Sequence, residues 1–230
     1  MKKLNFIIKY GLALLLLSFY SCESWLNVTP SDRLSEEMLF NDREGFVKAL
    51  NGVYIELNTN ELYGRNLTAG ALDVMGQYYS VASSSHAFYN YGGLVYTGND
   101  EKALFDNMWQ KCYAVIACCN TIIEKCDENK AGLSPVWRGS IKGEALALRA
   151  MLHFDMLRLF GPLTSELDKE SIPYQTNSDQ TVTPLLSGSE VVGLILDDLK
   201  NAVGLLKDTD PYFVEEEFSD TDLNYRRFRM

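Results

Sequence analysis

One segment constrains the fold of this chain more than any other, and it covers residues 134–162, SPVWRGSIKGEALALRAMLHFDMLRLFGP. Ser134 is a typical N-cap, and Pro135 suits the first position of a helix because its missing N–H is not needed there. Gly161 followed by Pro162 is a typical helix stop. The sequence therefore predicts one long helix that begins after Ser134 and ends before Gly161.

This helix has two apolar faces when its residues are placed at 100° intervals. The first face contains Ile141, Ala145, Leu148, Leu152, Met156 and Leu159, and the second contains Leu146, Ala147, Ala150, Phe154 and Leu157. Two polar stripes separate the faces, one with Lys142, Arg149 and His153 and the other with Glu144, Asp155 and Arg158. A helix with two apolar faces is covered by neighbours on both, as in stacked helical hairpins. We expect His153 to be solvated or structural.

Helical signals recur along most of the chain. They predict a short turn over 35–40, a helix that starts at a capping box formed by Asn41 and Glu44, a helix over 100–127 and a last helix over 189–206. The predicted core face of the last helix is Val192, Ile195, Leu199, Ala202 and Leu206. Strand-type alternation is nearly absent. The predicted class is all-α, with tetratricopeptide-like helical hairpins and a long irregular aromatic-rich insertion.

Four cysteines fall on the predicted helix over 100–127. Cys112, Cys119 and Cys126 repeat every seven residues, and Cys118 stands beside the second of them. Residues seven apart on a helix lie about 10 Å apart along its axis, which is too far for a disulfide. No C-x₂-C pair or nearby histidine supports a zinc site. We expect buried thiols that act as small hydrophobic side chains, and no metal or cofactor.

Residues 58–98 show no sustained period and are dense in aromatic side chains. Aromatic rings can stack on the apolar faces of sugars, while hydroxyl and amide groups can satisfy sugar hydroxyls. The candidate ligand-binding residues are Tyr78, Tyr79, His86, Tyr89, Tyr91, Tyr96 and Asn99. The alternative is that several of these tyrosines only pack the insertion onto the helices.

The N-terminus has the plan of an export signal. Three lysines precede an apolar run over 10–20, which is shorter than the roughly 20 residues that cross a bilayer. Ser21 before Cys22 resembles a lipobox, which makes Cys22 the acylated first residue of the mature protein. The predicted organisation is a signal peptide over 1–21, a tether over 22–34 and an incomplete helical domain over 35–230. The alternative is a weak signal anchor with an incidental thiol.

The charge balance excludes some partners. The formal net charge is −10, and it becomes −13 without residues 1–21, which carry three lysines and no acidic residue. An acidic chain has no long-range attraction for nucleic acid. We therefore expect no nucleic-acid partner.

Catalysis finds little support in the sequence. His86 and His153 are the only histidines, and no G-x-S-x-G, H-E-x-x-H or phosphate-binding glycine loop occurs. The acidic pair Asp197–Asp198 falls on a predicted helix, with nothing to hold a second carboxylate across a cleft. We expect a protein that is not an enzyme.

Four segments together resemble the SusD/RagB family of outer-membrane nutrient-binding lipoproteins. The central one is GEALALRA with Phe154 and RLFGPL after it. The others are residues 22–54, the segment MWQKCYAVIACCNTII over 108–123, and IPYQTN followed by SEVVGLILDDLKNAVGLL within 172–206. Each motif is weak alone, but their order after a lipobox is specific.

The resemblance implies a non-catalytic lipoprotein, anchored in the outer membrane and exposed at the cell surface, that binds oligosaccharide or peptide nutrients. It would deliver them to a SusC-like TonB-dependent transporter, and the region after the first helix would form part of the ligand surface. Family members continue well beyond this length, so the resemblance also implies a truncated, N-terminal portion. The alternative function is a truncated or structural helical scaffold of the envelope, or an interaction protein there, with no ligand of its own.

Overall fold

The computed structural model describes residues 36–179 and 181–209. Its helices are α1 (Glu36–Leu39), α2 (Arg43–Leu57), α3 (Ala71–Met75), α4 (Tyr89–Gly92), α5 (Asn99–Glu128), α6 (Pro135–Phe160) and α7 (Gly188–Thr209). A 3₁₀ turn, Thr164–Glu166, precedes two short antiparallel strands, β1 (Glu170–Pro173) and β2 (Leu185–Ser187). The all-α prediction is confirmed. Cys22, the signal peptide and the tether lie outside the described residues.

The helix boundaries follow the local capping signals. Ser134 caps α6, and its Oγ accepts a hydrogen bond from the backbone N–H of Trp137 at 3.4 Å. Gly161 ends α6 as predicted. The capping prediction for α2 was wrong by one residue, because the N-cap is Asp42 and not Asn41. The Asp42 backbone is extended, which lets its Oδ1 accept from the third helical amide, that of Gly45, at 2.8 Å.

Helix α6 packs against both α5 and α7, as its two apolar faces predict. Leu152, Met156 and Ala150 are fully buried. Phe154 was predicted on the second apolar face but is exposed, and the Arg158 guanidinium lies 5.3 Å from its ring centroid. The polar stripes contribute to the interior as well: Glu144, Arg149, His153 and Asp155 are all buried.

Helix α7 buries a face that overlaps the predicted one but is shifted by about one residue: the prediction is confirmed for Ile195 and Ala202. Its buried residues are Gly188, Val191, Ile195, Asp198 and Ala202, whereas Leu199 is exposed and Val192 and Leu206 are only partly buried. Helices α6 and α7 approach closely at Gly143, where a Cβ would lie 2.8 Å from Cγ of Leu206. The face is shifted because the Asp198 carboxylate points toward α6, where it pairs with Arg149.

The cysteine prediction is confirmed for three of four residues. Cys112, Cys119 and Cys126 are free thiols buried in the core, and burial raises the pKa of Cys119 and of Cys126 to about 12. Cys118 is exposed, so the expectation of a buried thiol was wrong there. Within residues 36–179 and 181–209 there is no group of three or more His, Cys, Asp or Glu side chains suited to a metal ion. None of the helices described is long and apolar enough to cross a bilayer.

Candidate glycan-binding surface and buried polar network

The insertion between α2 and α5 presents three tyrosines to solvent. Tyr78 is 80 % exposed, Tyr79 51 % and Tyr89 42 %. The backbone of Gln77 has a positive φ of 61°. Its side chain holds two parts of the insertion together, because Nε2 donates to the backbone carbonyls of Val74 at 3.3 Å and of Gly92 at 3.0 Å. This double contact ties the segment that carries Tyr78 and Tyr79 to the short helix that carries Tyr89.

Two of the candidate tyrosines face inward. Tyr91 is only 3 % exposed, and its ring meets Phe88 edge-on at 5.8 Å and Phe105 at 6.0 Å. Tyr96 is half-buried, with its ring 5.4 Å from that of Phe105. Burial raises the pKa of both tyrosines, and the charges of Glu101 and Asp100 add to the shift at Tyr91. Tyr91 therefore packs the insertion onto α5, which is the alternative expected for some of these tyrosines, and a ligand contact by Tyr91 stays a prediction.

The remaining candidates lie at the surface, His86 within the insertion and Asn99 at its border with α5. His86 is exposed, and its Nδ1 accepts a hydrogen bond from the backbone N–H of Phe88 at 3.1 Å, which leaves Nε2 as the protonated nitrogen of the neutral ring. Asn99 is exposed at the first position of α5. His86 is joined to one exposed tyrosine through the backbone, because its carbonyl accepts from the Tyr89 N–H at 3.0 Å. The binding roles of His86 and Asn99 stay predictions.

One buried carboxylate joins the insertion to α5. Glu101 accepts a hydrogen bond from Asn90 Nδ2 at 2.7 Å, and this bond lowers the pKa of the Glu101 carboxyl. The carboxylate folds back over Gly98, where a Cβ would meet Glu101 Oε2 at 2.0 Å. Asn90 therefore orients α4, which fixes the position of Tyr89.

Sequence reasoning missed a buried polar network centred on Arg149 and Asp198. Arg149 Nε and Nη2 each donate to the Asp198 carboxylate at 2.7 Å, in a bidentate pair. Arg149 Nη1 donates to Asn120 Oδ1 at 2.8 Å, and the Tyr174 hydroxyl donates to Asp198 Oδ2 at 2.6 Å. The network links α5, α6 and α7 with the segment after β1. The pair is separated by 49 residues, so local spacing carried no signal for it.

His153 completes the network and is fully buried. Its Nδ1 donates to the backbone carbonyl of Arg149 at 2.9 Å, and its Nε2 accepts from the backbone N–H of Gln175 at 3.0 Å. The Tyr174 ring stacks on the imidazole with centroids 3.9 Å apart. Burial lowers the pKa of His153 to about 4, so the ring is neutral and its role is structural. Of the two roles expected for it, solvated or structural, the second is confirmed.

The free energy of unfolding should depend on pH because His153 is buried in its neutral form. The pKa of His153 is about 4 in the folded protein and about 6.5 in the unfolded chain. Above pH 6.5 the imidazole is neutral in both states, and below it the unfolded chain gains a proton that the folded protein does not bind. Lowering the pH from 7 to 4 should remove about 3 kcal/mol of unfolding free energy through this residue. Urea unfolding at each pH measures the slope. His153→Gln should lack this part of the slope, whereas His86→Gln, at an exposed histidine, should keep it. Identical pH profiles for wild type and His153→Gln would contradict the assignment.

A cavity of about 650 Å³ opens beside this network. Lys142, Lys200 and the Arg149–Asp198 pair contribute its charged lining. Lys142 is paired with Asp127, and Lys200 lies 3.5 Å from Asp197. Since the charged groups are matched within the chain, we assign this region to stability.

Comparison with known proteins identifies the family of this chain. Residues 24–219 match a SusD-like family model described as "Starch-binding associating with outer membrane". Over 199 residues the chain is 27 % identical to SusD-like protein P38 of Formosa agariphila, covering 79 % of this chain and 34 % of that protein. It is 26 % identical over 166 residues to SusD-like protein P2 of the same organism, covering 70 % and 30 %.

A solved structure agrees with these matches. The crystal structure of a SusD-like carbohydrate binding protein from Bacteroides vulgatus superposes with a TM-score of 0.61 at 25 % identity, covering 79 % of this chain and 38 % of that protein. The chain thus spans about a third of the length of the relatives it matches. The family model matches residues 24–219, and the relatives found by sequence and by structure are of the same kind. The chain therefore belongs to the SusD-like family, an outer-membrane-associated family described as starch-binding.

Proposed function

We propose that this chain is a non-catalytic glycan-binding module, and that Tyr78, Tyr79 and Tyr89 form its sugar-contacting surface. The observation that carries the proposal is their exposure on an insertion in which Tyr91 is buried and Phe88 and Tyr96 are partly buried. Tyr78 and Tyr79 have no ring contact within the described residues, and the same holds for Tyr89. Large aromatic side chains that the fold does not bury are typical of binding surfaces.

The chemistry of the three side chains suits a carbohydrate. A tyrosine ring offers a flat apolar face for the C–H side of a sugar ring, and its hydroxyl can donate to or accept from sugar hydroxyls. The backbone beneath is held by Gln77 and by the Asn90–Glu101 pair, so little conformational entropy remains to be lost on binding. His86 and Asn99 would add polar contacts at the edge of the same surface.

The same proposal covers location and partner. Cys22 would carry the lipid anchor, with two or more acyl chains giving stable attachment where one alone is marginal. The protein would hand its glycan to a SusC-like TonB-dependent transporter at the outer membrane. The family description supports association with that membrane, and the lipobox-like sequence before Cys22 supports the anchor.

Calorimetric titration tests the proposed function. The purified chain should bind at least one of maltoheptaose, xylohexaose and mannopentaose. The triple variant Tyr78→Ala/Tyr79→Ala/Tyr89→Ala should lower the affinity by about 10- to 100-fold, equivalent to roughly 1.4–2.8 kcal/mol. Phe154→Ala is the matched control, since Phe154 is an exposed aromatic residue on α6. A folded chain that releases no heat with any of the three glycans would contradict the proposal and favour a scaffold role. Binding of a peptide but of none of the glycans would show that the ligand is a peptide.

A further inference from the structure

A second concave surface lies where the connection between α5 and α6 meets the start of α2. The cavity has a volume of about 440 Å³, within the roughly 300–1,000 Å³ range of small-molecule sites. Asp42, Arg43 and Glu44 line one side, and residues 131–134 with Trp137 line the other. No residue of the aromatic insertion belongs to this lining. The cavity is therefore separate from the surface proposed above.

Trp137 is the feature that distinguishes this cavity. Its side chain is 40 % exposed in the first turn of α6. The Arg43 guanidinium stacks over the ring at 4.7 Å from the centroid, which fixes the orientation of the indole. Trp109 offers a contrast, because its ring packs against Phe160 at 5.0 Å and against Tyr113 at 4.7 Å. Trp137 is thus an aromatic platform that the hydrophobic core does not use.

Hydrogen-bonding groups stand around the platform. Asp42 uses Oδ1 to cap α2, which leaves its Oδ2 to accept from a ligand. Ser134 Oγ accepts from the backbone N–H of Trp137, so its hydroxyl hydrogen remains a donor. One aromatic face with a few fixed polar groups is the composition that a sugar ring requires.

We propose that the Trp137 cavity is a second saccharide site, and that it takes an uncharged glycan. The sugar ring stacks on the indole, while Asp42 Oδ2 accepts from one sugar hydroxyl and the Ser134 hydroxyl donates to another. The Glu44 carboxylate is paired with Lys48 at 2.7 Å. The Asp42 carboxylate, which would face the sugar, repels an anionic ring, so sulfated or uronic-acid sugars are disfavoured.

Nuclear magnetic resonance of the tryptophan indole N–H groups tests this site. The chain has three tryptophans, Trp25, Trp109 and Trp137. Trp137→Phe identifies the Trp137 resonance, and Trp109→Phe identifies the Trp109 resonance, which serves as an internal control for folding. The probes are maltoheptaose, xylohexaose and mannopentaose, with a galacturonic acid hexasaccharide as the anionic comparison. The Trp137 resonance should shift saturably with at least one neutral probe, the Trp109 resonance should stay in place, and the anionic probe should have a weaker effect.

The triple tyrosine variant separates this proposal from the function proposed above. In that variant the Trp137 shift should persist with the same midpoint, even though calorimetry reports the loss of the insertion site. A Trp137 resonance that stays still with all neutral probes up to about 10 mM, tenfold above a millimolar Kd, would overturn the proposal. A shift that disappears in the triple variant would also overturn it, since the effect would then come from the insertion. A stronger response to the anionic probe would overturn the assigned ligand class.

Discussion

Asp198→Ala is expected to lower the free energy of unfolding by about 3–5 kcal/mol, the largest effect of any single change considered for this chain. Arg149 and Asp198 are both buried, and the arginine makes two hydrogen bonds of 2.7 Å to the carboxylate. Removing the carboxylate leaves the guanidinium in the interior without its counter-charge, and the Tyr174 hydroxyl loses its acceptor as well. Urea unfolding followed by far-UV circular dichroism measures the loss.

The adjacent residue provides a matched control. Asp197 is also an aspartate on α7, but its side chain is 67 % exposed and its contact with Lys200 is 3.5 Å long. Asp197→Ala should therefore change stability by no more than about 0.5 kcal/mol. The double variant Arg149→Met/Asp198→Leu should recover most of the loss, because it removes both buried charges together. Equal effects of Asp197→Ala and Asp198→Ala would contradict the buried pair.

Gly45→Ala is expected to destabilise the fold by about 3 kcal/mol or more. A Cβ at Gly45 would lie 1.5 Å from the backbone carbonyl oxygen of Leu39, so the connection between α1 and α2 would have to move. That movement would also disturb the Asp42 cap, which bonds to the Gly45 amide. Thermal unfolding of the variant measures the cost.

Gly52 lies in the same helix and should respond in the opposite direction. No atom lies within 4 Å of a Cβ built there. Gly52→Ala should therefore stabilise the protein by about 0.5–1 kcal/mol through helix propensity alone. If both alanine variants shifted the Tm in the same direction, the close approach at Gly45 would be wrong.

The long helices could be predicted from the sequence because their signals are local. Ser134, Pro135 and Gly161 mark the ends of α6 within one or two residues of the positions they control. The two apolar faces of the same segment predicted its burial between neighbours, which α5 and α7 provide. Local capping and periodicity therefore account for the architecture.

The face of α7 could not be predicted in the same way. Hydropathy favours Leu199 over Asp198 as a core residue. The periodicity of one helix cannot predict a hydrogen-bond partner that lies 49 residues away in the chain. The bidentate bond to Arg149 reverses that preference, because a buried guanidinium without a carboxylate costs more than an exposed leucine. The predicted face was therefore displaced by about one residue.

The exposed tyrosines of the insertion could not be predicted from the sequence either. Composition identified the aromatic cluster but could not separate Tyr78, which is exposed, from Tyr91, which is buried against Phe105. That distinction depends on which rings the fold turns toward α5. The Trp137 cavity was missed for a similar reason, since its two sides are about 90 residues apart in the chain.

Hydroxyl-radical footprinting with the glycan that binds in calorimetry tests the central claim most directly, because it reports each aromatic side chain separately. Tyr78, Tyr79 and Tyr89 should be protected from oxidation together, with a midpoint equal to the calorimetric Kd. Phe154, exposed on α6, should be oxidised at the same rate with and without the glycan. Glycan binding that leaves all three tyrosines as reactive as in the free chain would contradict the proposed binding surface.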